Sequence, residues 1–96
     1  MSIFIVGADR LGNIANNLKE SGCHSITHLK GRKNICMRKL QIPAGTDLIL
    51  VMTDYIDHNI AHDIRSKAKR QSIPVLFSKR SWTYLFPKLK EFIYSS

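Results

Sequence analysis

Residues 48–52 constrain the fold of this chain more than any other feature. They read Leu-Ile-Leu-Val-Met, an apolar run without interruption between Asp47 and Thr53. A strand with one face in water alternates apolar and polar residues, so an unbroken run is typical of a strand covered on both faces. Such strands occur in parallel sheets with helices on both sides. The run therefore predicts an α/β fold.

The rest of the chain alternates strand-like and helix-like segments around this run. Further strands are expected at residues 2–6, 25–29 and 73–77. Helices are expected at about residues 11–21, from a cap at Asp54 or Asp57 to about Gln71, and after Ser81. Right-handed crossovers then give a three-layer fold with a four-stranded parallel sheet of order 2-1-3-4 and about three helices. We expect one domain over residues 1–96 because the chain is short.

Three local features refine this expectation. Gly22 is placed to end the first helix, as the residue that follows its C-terminus. Pro87 should kink the last helix or restart it. Residues 30–46 have no convincing amphipathic pattern, so they are expected to form a long loop.

A ligand site is expected at one edge of this sheet. The carboxyl ends of parallel strands meet at a common edge, and ligands bind there, where the strand order reverses. Polar and charged residues accumulate in the four segments that follow the predicted strands. The candidate ligand-contacting residues are Gly7, Asp9, Arg10, Arg32, Lys33, Asp54, His58, Asn59, Lys79, Arg80 and Ser81.

The turn after the first strand matches a dinucleotide-binding turn only in part. Gly7 and Gly12 occupy the first and third glycine positions of that pattern, but Asp9 occupies the second, where the backbone would approach a pyrophosphate. A carboxylate at that position repels phosphate. Asn13 stands where a P-loop requires lysine. The turn is therefore expected to form one wall of a pocket and not a phosphate cradle.

The charge of the chain indicates the kind of partner. The formal net charge of +8 favours an anionic small molecule or cofactor, or nucleic acid. Two basic pairs, Arg32-Lys33 and Lys79-Arg80, would bring positive charge to the site, although a solvated basic surface explains them as well. No helix-turn-helix, zinc-finger or RNP pattern is present, so nucleic-acid binding is an alternative and not the first hypothesis.

Metal binding and catalysis have less support. His58 and His62 have a spacing that can hold one metal, but the glutamate of a zinc-protease motif is missing between them. No nucleophile, base and orienting group can be recognised together, so the sequence favours a binding protein over an enzyme.

Cysteine content and hydropathy indicate the compartment. Cys23 and Cys36 are too few for a disulfide framework, which predicts a reducing cytoplasm. The first residues lack signal-peptide features, and no run reaches the roughly 20 apolar residues of a membrane helix. A chain this short buries a modest share of its surface, so a homodimer or higher homo-oligomer is expected.

Several segments together resemble domain-of-unknown-function family 2325. The resemblance covers nearly the whole chain and is carried by residues 6–13, 28–33, 50–59, 68–69, 73–74 and 78–82. It implies a small Rossmann-like α/β domain. Some members of the family are implicated in haem binding through a cysteine thiolate, and the resemblance then implies Cys23 as the possible iron ligand. Residues 7–10 read Gly-Ala-Asp-Arg and lack the histidine of the turn in those members.

These observations lead to one hypothesis with two alternatives. The chain is expected to be a cytoplasmic ligand-binding or sensor module for an anionic ligand. Haem is the most concrete candidate that the resemblance implies, and its propionates would pair with Arg or Lys. The first alternative is nucleotide or nucleic-acid binding through the basic loops. The second is a dimeric interaction module without a cofactor.

Overall fold

The fold is an open parallel sheet with helices on both faces. A computed structural model describes residues 1–8, 10–29, 41–56 and 58–95. Its elements are β1 (Ser2–Val6), α1 (Asn13–Glu20), β2 (Ser25–Leu29), β3 (Leu48–Met52), α2 (His58–Arg70), β4 (Val75–Ser78) and α3 (Trp82–Ser95). All neighbouring strands are parallel, in the order β2-β1-β3-β4. The predicted α/β class, strand order and number of helices are confirmed.

Strand β3 is buried along its whole length, which explains its unbroken apolar sequence. Its side chains alternate between the two faces of the sheet. Leu48, Leu50 and Met52 belong to a core cluster that also includes residues of α1 and α3. Ile49 and Val51 belong to a second cluster with residues of α2.

The two clusters lie on opposite faces of the sheet. From the centre of the sheet, the chain moves in one direction from β1 to β2 and in the other from β3 to β4. Right-handed crossovers then require α1 and α2 to lie on opposite faces. Ile42 belongs to the α2 cluster, so the described end of the second crossover is on that face. Residues 30–40, most of the predicted long loop, lie outside the described residues.

Helix α1 ends as the sequence predicted. Gly22 has a φ of 101°, a conformation that glycine adopts without the steric cost of a Cβ atom. Its N–H donates to the Lys19 carbonyl at 3.2 Å, and the Cys23 N–H donates to the Leu18 carbonyl at 3.0 Å. This pair of bonds is a Schellman motif. Cys23 and Leu18 lie in the same core cluster, which is the apolar contact that often accompanies the motif.

Helix α2 ends in the same way, but without glycine. The Ser72 N–H donates to the Lys69 carbonyl at 3.2 Å, and the Ile73 N–H donates to the Ala68 carbonyl at 2.9 Å. Ser72 therefore occupies the position that Gly22 occupies after α1, with a φ of 57°. A residue with a Cβ atom is strained in this left-handed conformation.

We expect Ser72→Gly to stabilise the protein by about 0.5–1 kcal/mol, because the removed strain exceeds the extra entropy of glycine in the unfolded chain. Urea unfolding measures the change. Gly22→Ser is the matched control and should destabilise the protein by a similar amount, since it introduces the same strain after α1. A loss of stability in Ser72→Gly would contradict this explanation.

Helix α3 contains a proline and is nevertheless continuous. It runs from Trp82 to Ser95 with Pro87 inside. Of the two predicted effects of Pro87, the restart is therefore wrong, and the kink stays a prediction. Proline removes one helical hydrogen bond, but Leu85 and Leu89 on either side of it are fully buried. Packing on the sheet offsets the lost bond, since tertiary burial provides most of the stability of a helix.

Among the described residues, no helix has both the length and the apolar character that crossing a membrane requires.

Candidate functional site

The carboxyl ends of the strands form the candidate site. Because the strands are parallel and each helix follows a strand, the N-termini of α1, α2 and α3 lie at this same edge, which we call the carboxyl edge. Of the predicted residues, Asp9, Arg32 and Lys33 lie outside the described part of the chain. The others are in the segments that leave the strands, at residues 7–10, 54–59 and 79–81.

The turn between β1 and α1 has an unusual backbone. Gly7, Ala8 and Gly12 all have positive φ, at 105°, 62° and 58°. Gly12 is at the N-cap position of α1 with a ψ of −133°, and no side chain caps the helix there. Ala8 is the only one of the three that carries a Cβ atom, and it is 1% exposed. Such conformations persist only where surrounding contacts hold them.

Arg80 provides one of these contacts. Its Nε donates to the carbonyl of Arg10, which is 70 residues earlier in the chain. Its Nη2 lies so close to Gly12 that a Cβ atom there would be 3.3 Å away from it. The Arg80 backbone N–H is 3.4 Å from the carboxylate of Asp54. Arg80 thus joins the segments that follow β1, β3 and β4, across the point where the strand order reverses.

Among the described residues of the carboxyl edge, basic side chains outnumber acidic ones. None of the three helices has an acidic residue in its first turn, a position where carboxylates often stabilise the helix dipole. Arg10, His58, Lys79 and Arg80 are exposed at this edge. Asp54 is exposed there too, and it already accepts from the Arg80 backbone.

The remaining predicted residues lie at helix starts. His58 and Asn59 are the first two residues of α2, and both are exposed. The Ser81 carbonyl accepts the N–H groups of Tyr84 and Leu85 at the start of α3. The Lys79 ammonium lies 5.0 Å from the centre of the Tyr84 ring, a cation–π contact. Within the described residues, no three His, Cys, Asp or Glu side chains form a group that could hold a metal ion.

One contact of the turn was not predicted. The Nε2 atom of His28, in β2, lies 2.8 Å from the Gly7 carbonyl oxygen and 3.0 Å from that of Ala8. The sequence placed His28 in the strand predicted at residues 25–29 and predicted no contact between it and the turn. His28 lies one residue before the end of β2 and is the register partner of Ile5 in β1. This position beside the turn that follows β1 was the signal that could have predicted the contact.

The comparisons with known proteins identify the family. A family model described as an uncharacterized protein conserved in bacteria, domain-of-unknown-function family 2325, matches residues 2–92. The chain belongs to this family. The resemblance drawn from the sequence is therefore confirmed. No curated protein and no solved structure matches the chain.

Cys23 is the residue that the resemblance implied as a possible haem iron ligand, and its position in the structure tests that role. Cys23 is fully buried in the core cluster between the sheet and α1 and α3. It precedes β2 and is therefore at the edge of the sheet opposite to the carboxyl edge. Burial raises the pKa of its thiol, against a smaller opposite effect of the N-terminal ammonium. Haem iron binds the thiolate, so Cys23 does not fit this role in the fold described here.

Proposed function

We propose that this protein is a cytoplasmic, non-enzymatic binding or sensor module that holds an anionic ligand at its carboxyl edge. The observation that carries the proposal is the position of the Arg80 guanidinium against Gly12, at the N-terminus of α1. The cytoplasmic location is supported by Cys23, a free and buried thiol, because secreted proteins of this size usually pair their cysteines.

The placement of Arg80 brings a positive side chain to the positive end of a helix dipole. The N-terminus of a helix carries a partial positive charge, and its first N–H groups have no partner inside the helix. Here a guanidinium lies next to that end, and the first turn of α1 contains no carboxylate. Within the described chain, only Nε of its side chain has an acceptor. An anion at this point would accept hydrogen bonds from both the guanidinium and the helix, as carboxylates and phosphates do.

Haem stays one candidate ligand within this proposal. Its propionates are carboxylates, which guanidinium groups such as those of Arg10 and Arg80 bind well. The proposal assigns no iron ligand, because Cys23 is buried on the opposite side of the domain. A nucleotide or a nucleic acid is the alternative ligand for the same basic edge. Its affinity should fall steeply with salt, in proportion to the phosphates that are neutralised.

We expect Arg80→Ala to weaken binding of phosphate, succinate or haemin by about tenfold or more, because a charge-assisted hydrogen bond contributes roughly 1.5–3 kcal/mol. Phosphate and succinate are titrated by NMR, and haemin by its Soret absorbance. Lys90→Ala is the matched control, since it removes the same charge from an exposed position on α3 beyond the helix start. Equal losses in both variants would indicate nonspecific attraction to a basic surface and would contradict the proposal.

A second candidate function is homodimerisation through α3. This helix exposes Tyr84, Phe86 and Tyr94 at 58%, 40% and 78%, and Phe86 stacks on Trp82 with a centroid distance of 5.2 Å. Aromatic residues are enriched at protein interfaces. Sedimentation equilibrium of the unliganded chain tests this candidate, and a monomer at high concentration would reject it.

A further inference from the structure

Strand β4 is at one edge of the sheet that the described residues form, and there only β3 pairs with it. Successive residues of such a strand direct their backbone groups alternately toward the neighbouring strand and away from it. The Pro74 carbonyl accepts the N–H of Ile49 in β3 at 3.0 Å. Leu76 therefore also faces β3, whereas Val75 and Phe77 direct their N–H and C=O groups out of the sheet.

Lys88 occupies part of this outer edge. Its ammonium, from α3, donates to the Phe77 carbonyl at 2.7 Å, which agrees with a carbonyl that points away from β3. Lys79 directly follows β4, and its ammonium lies 5.0 Å from the centre of the Tyr84 ring. Tyr84 and Lys88 are one helical turn apart and hence on the same side of α3. Two ammonium groups therefore lie beside the outer edge of β4.

An edge of this composition is a template for a further strand. Residues 73–77 read Ile-Pro-Val-Leu-Phe and carry no charge, and Phe77 is 36% exposed. Outward backbone groups beside exposed apolar side chains favour pairing between chains, and natural sheets oppose it with charged residues, above all lysine. A second copy of this edge fits the first in antiparallel order. Val75 of each copy would then lie opposite Phe77 of the other, so that outward groups meet on both sides.

We propose that Lys88 prevents the β4 edge from pairing with a second copy of the chain. It occupies the Phe77 carbonyl, which an added strand would need as an acceptor, and pairing would bury its ammonium at a cost in free energy. A two-fold axis between two such edges would also bring the lysines of both copies near each other, where like charges repel. This inference does not depend on the anion site of the proposed function.

The test compares Lys88→Ala with Lys88→Arg, which keeps the charge and can donate to the same carbonyl. In sedimentation velocity, we expect Lys88→Ala to have about twice the mass of the natural protein or more, and Lys88→Arg to have the same mass as the natural protein. Lys90→Ala is the matched control, because it removes the same charge from an exposed position on nearly the opposite side of α3. If Lys88→Ala keeps the natural mass, or if Lys90→Ala associates equally, the inference is wrong.

Amide hydrogen exchange shows whether the association uses this edge, and its first part needs no variant. In the natural protein, the N–H groups of Val75 and Phe77 should exchange fast and that of Leu76 slowly. In the associated Lys88→Ala protein, the Val75 and Phe77 amides should become protected. Slow exchange of these two amides in the natural protein would overturn the inference, and so would association of Lys88→Ala without new protection there. A dimer formed through the exposed aromatic residues of α3 gives the latter result.

Discussion

Gly12→Ala should both destabilise the protein and weaken its binding of anions. Gly12 has a φ of 58° and a ψ of −133°, a region close to that reserved for glycine, where a non-glycine residue costs about 1–3 kcal/mol. The added Cβ would also lie 3.3 Å from Nη2 of Arg80. The guanidinium then has to move away from the start of α1. Urea unfolding measures the first effect, and phosphate titration measures the second.

Gly45→Ala separates these two effects. Gly45 also has a positive φ, of 79°, but a Cβ atom there would meet nothing within 4 Å. It precedes β3 and is therefore remote from the carboxyl edge. The control should lose about 1 kcal/mol of stability and bind phosphate normally. If Gly12→Ala also binds phosphate normally, the Arg80 guanidinium is not part of the site.

The class and topology of the fold were predictable because they depend on local patterns. The unbroken apolar run of β3 requires two covered faces, and that requirement leads to a parallel sheet with right-handed crossovers. Gly22 marked the end of α1 because few residues other than glycine adopt its conformation. Ser72 has nearly the same role after α2, but serine gives no comparable signal, so that motif was not predicted.

The contacts of the candidate site were only partly predictable. The strand ends placed Arg10, Asp54 and Arg80 at one edge, and the structure brings these three together. The bond between Arg80 and the Arg10 carbonyl depends on side-chain geometry across 70 residues, which no periodicity encodes. The contact of His28 with the turn likewise depends on the register of β2 against β1. Helix α3 does not restart at Pro87, one of the two effects expected there, because the burial of Leu85 and Leu89 outweighs local propensity.

Cys23 shows how a local motif can decide between two interpretations of one residue. As a possible metal ligand it would have to be accessible and ionised, whereas its place directly after Gly22 makes it the apolar residue of a Schellman motif. The structure has the second arrangement, with the thiol fully buried beside Leu18 in the core. Substitutions of Cys23 should therefore change the free energy of unfolding as substitutions of a small apolar core residue do.

Cys23→Ser should destabilise the protein by about 1–3 kcal/mol, because it places a polar hydroxyl in a buried apolar cluster. Cys23→Ala should cost less, since it leaves only a small cavity. Urea unfolding at pH 7 with reductant measures both. If Ser and Ala are equally tolerated, the side chain at this position reaches water, and the buried position described here is wrong.

Alkaline pH should distinguish the natural protein from Cys23→Ala. Burial raises the pKa of the Cys23 thiol in the folded state above its ordinary value of 9.0, so the folded protein retains a proton that the unfolded chain releases. The stability from the neutral thiol is fully present below pH 9.0 and is lost as the pH rises through the folded-state pKa. The unfolding free energy of the natural protein should therefore fall relative to Cys23→Ala above about pH 9. Both proteins contain Cys36, so its effect on the unfolding free energy cancels in the comparison. If the two curves of unfolding free energy against pH stay parallel from pH 7 to the alkaline limit, the thiol is not buried in its neutral form.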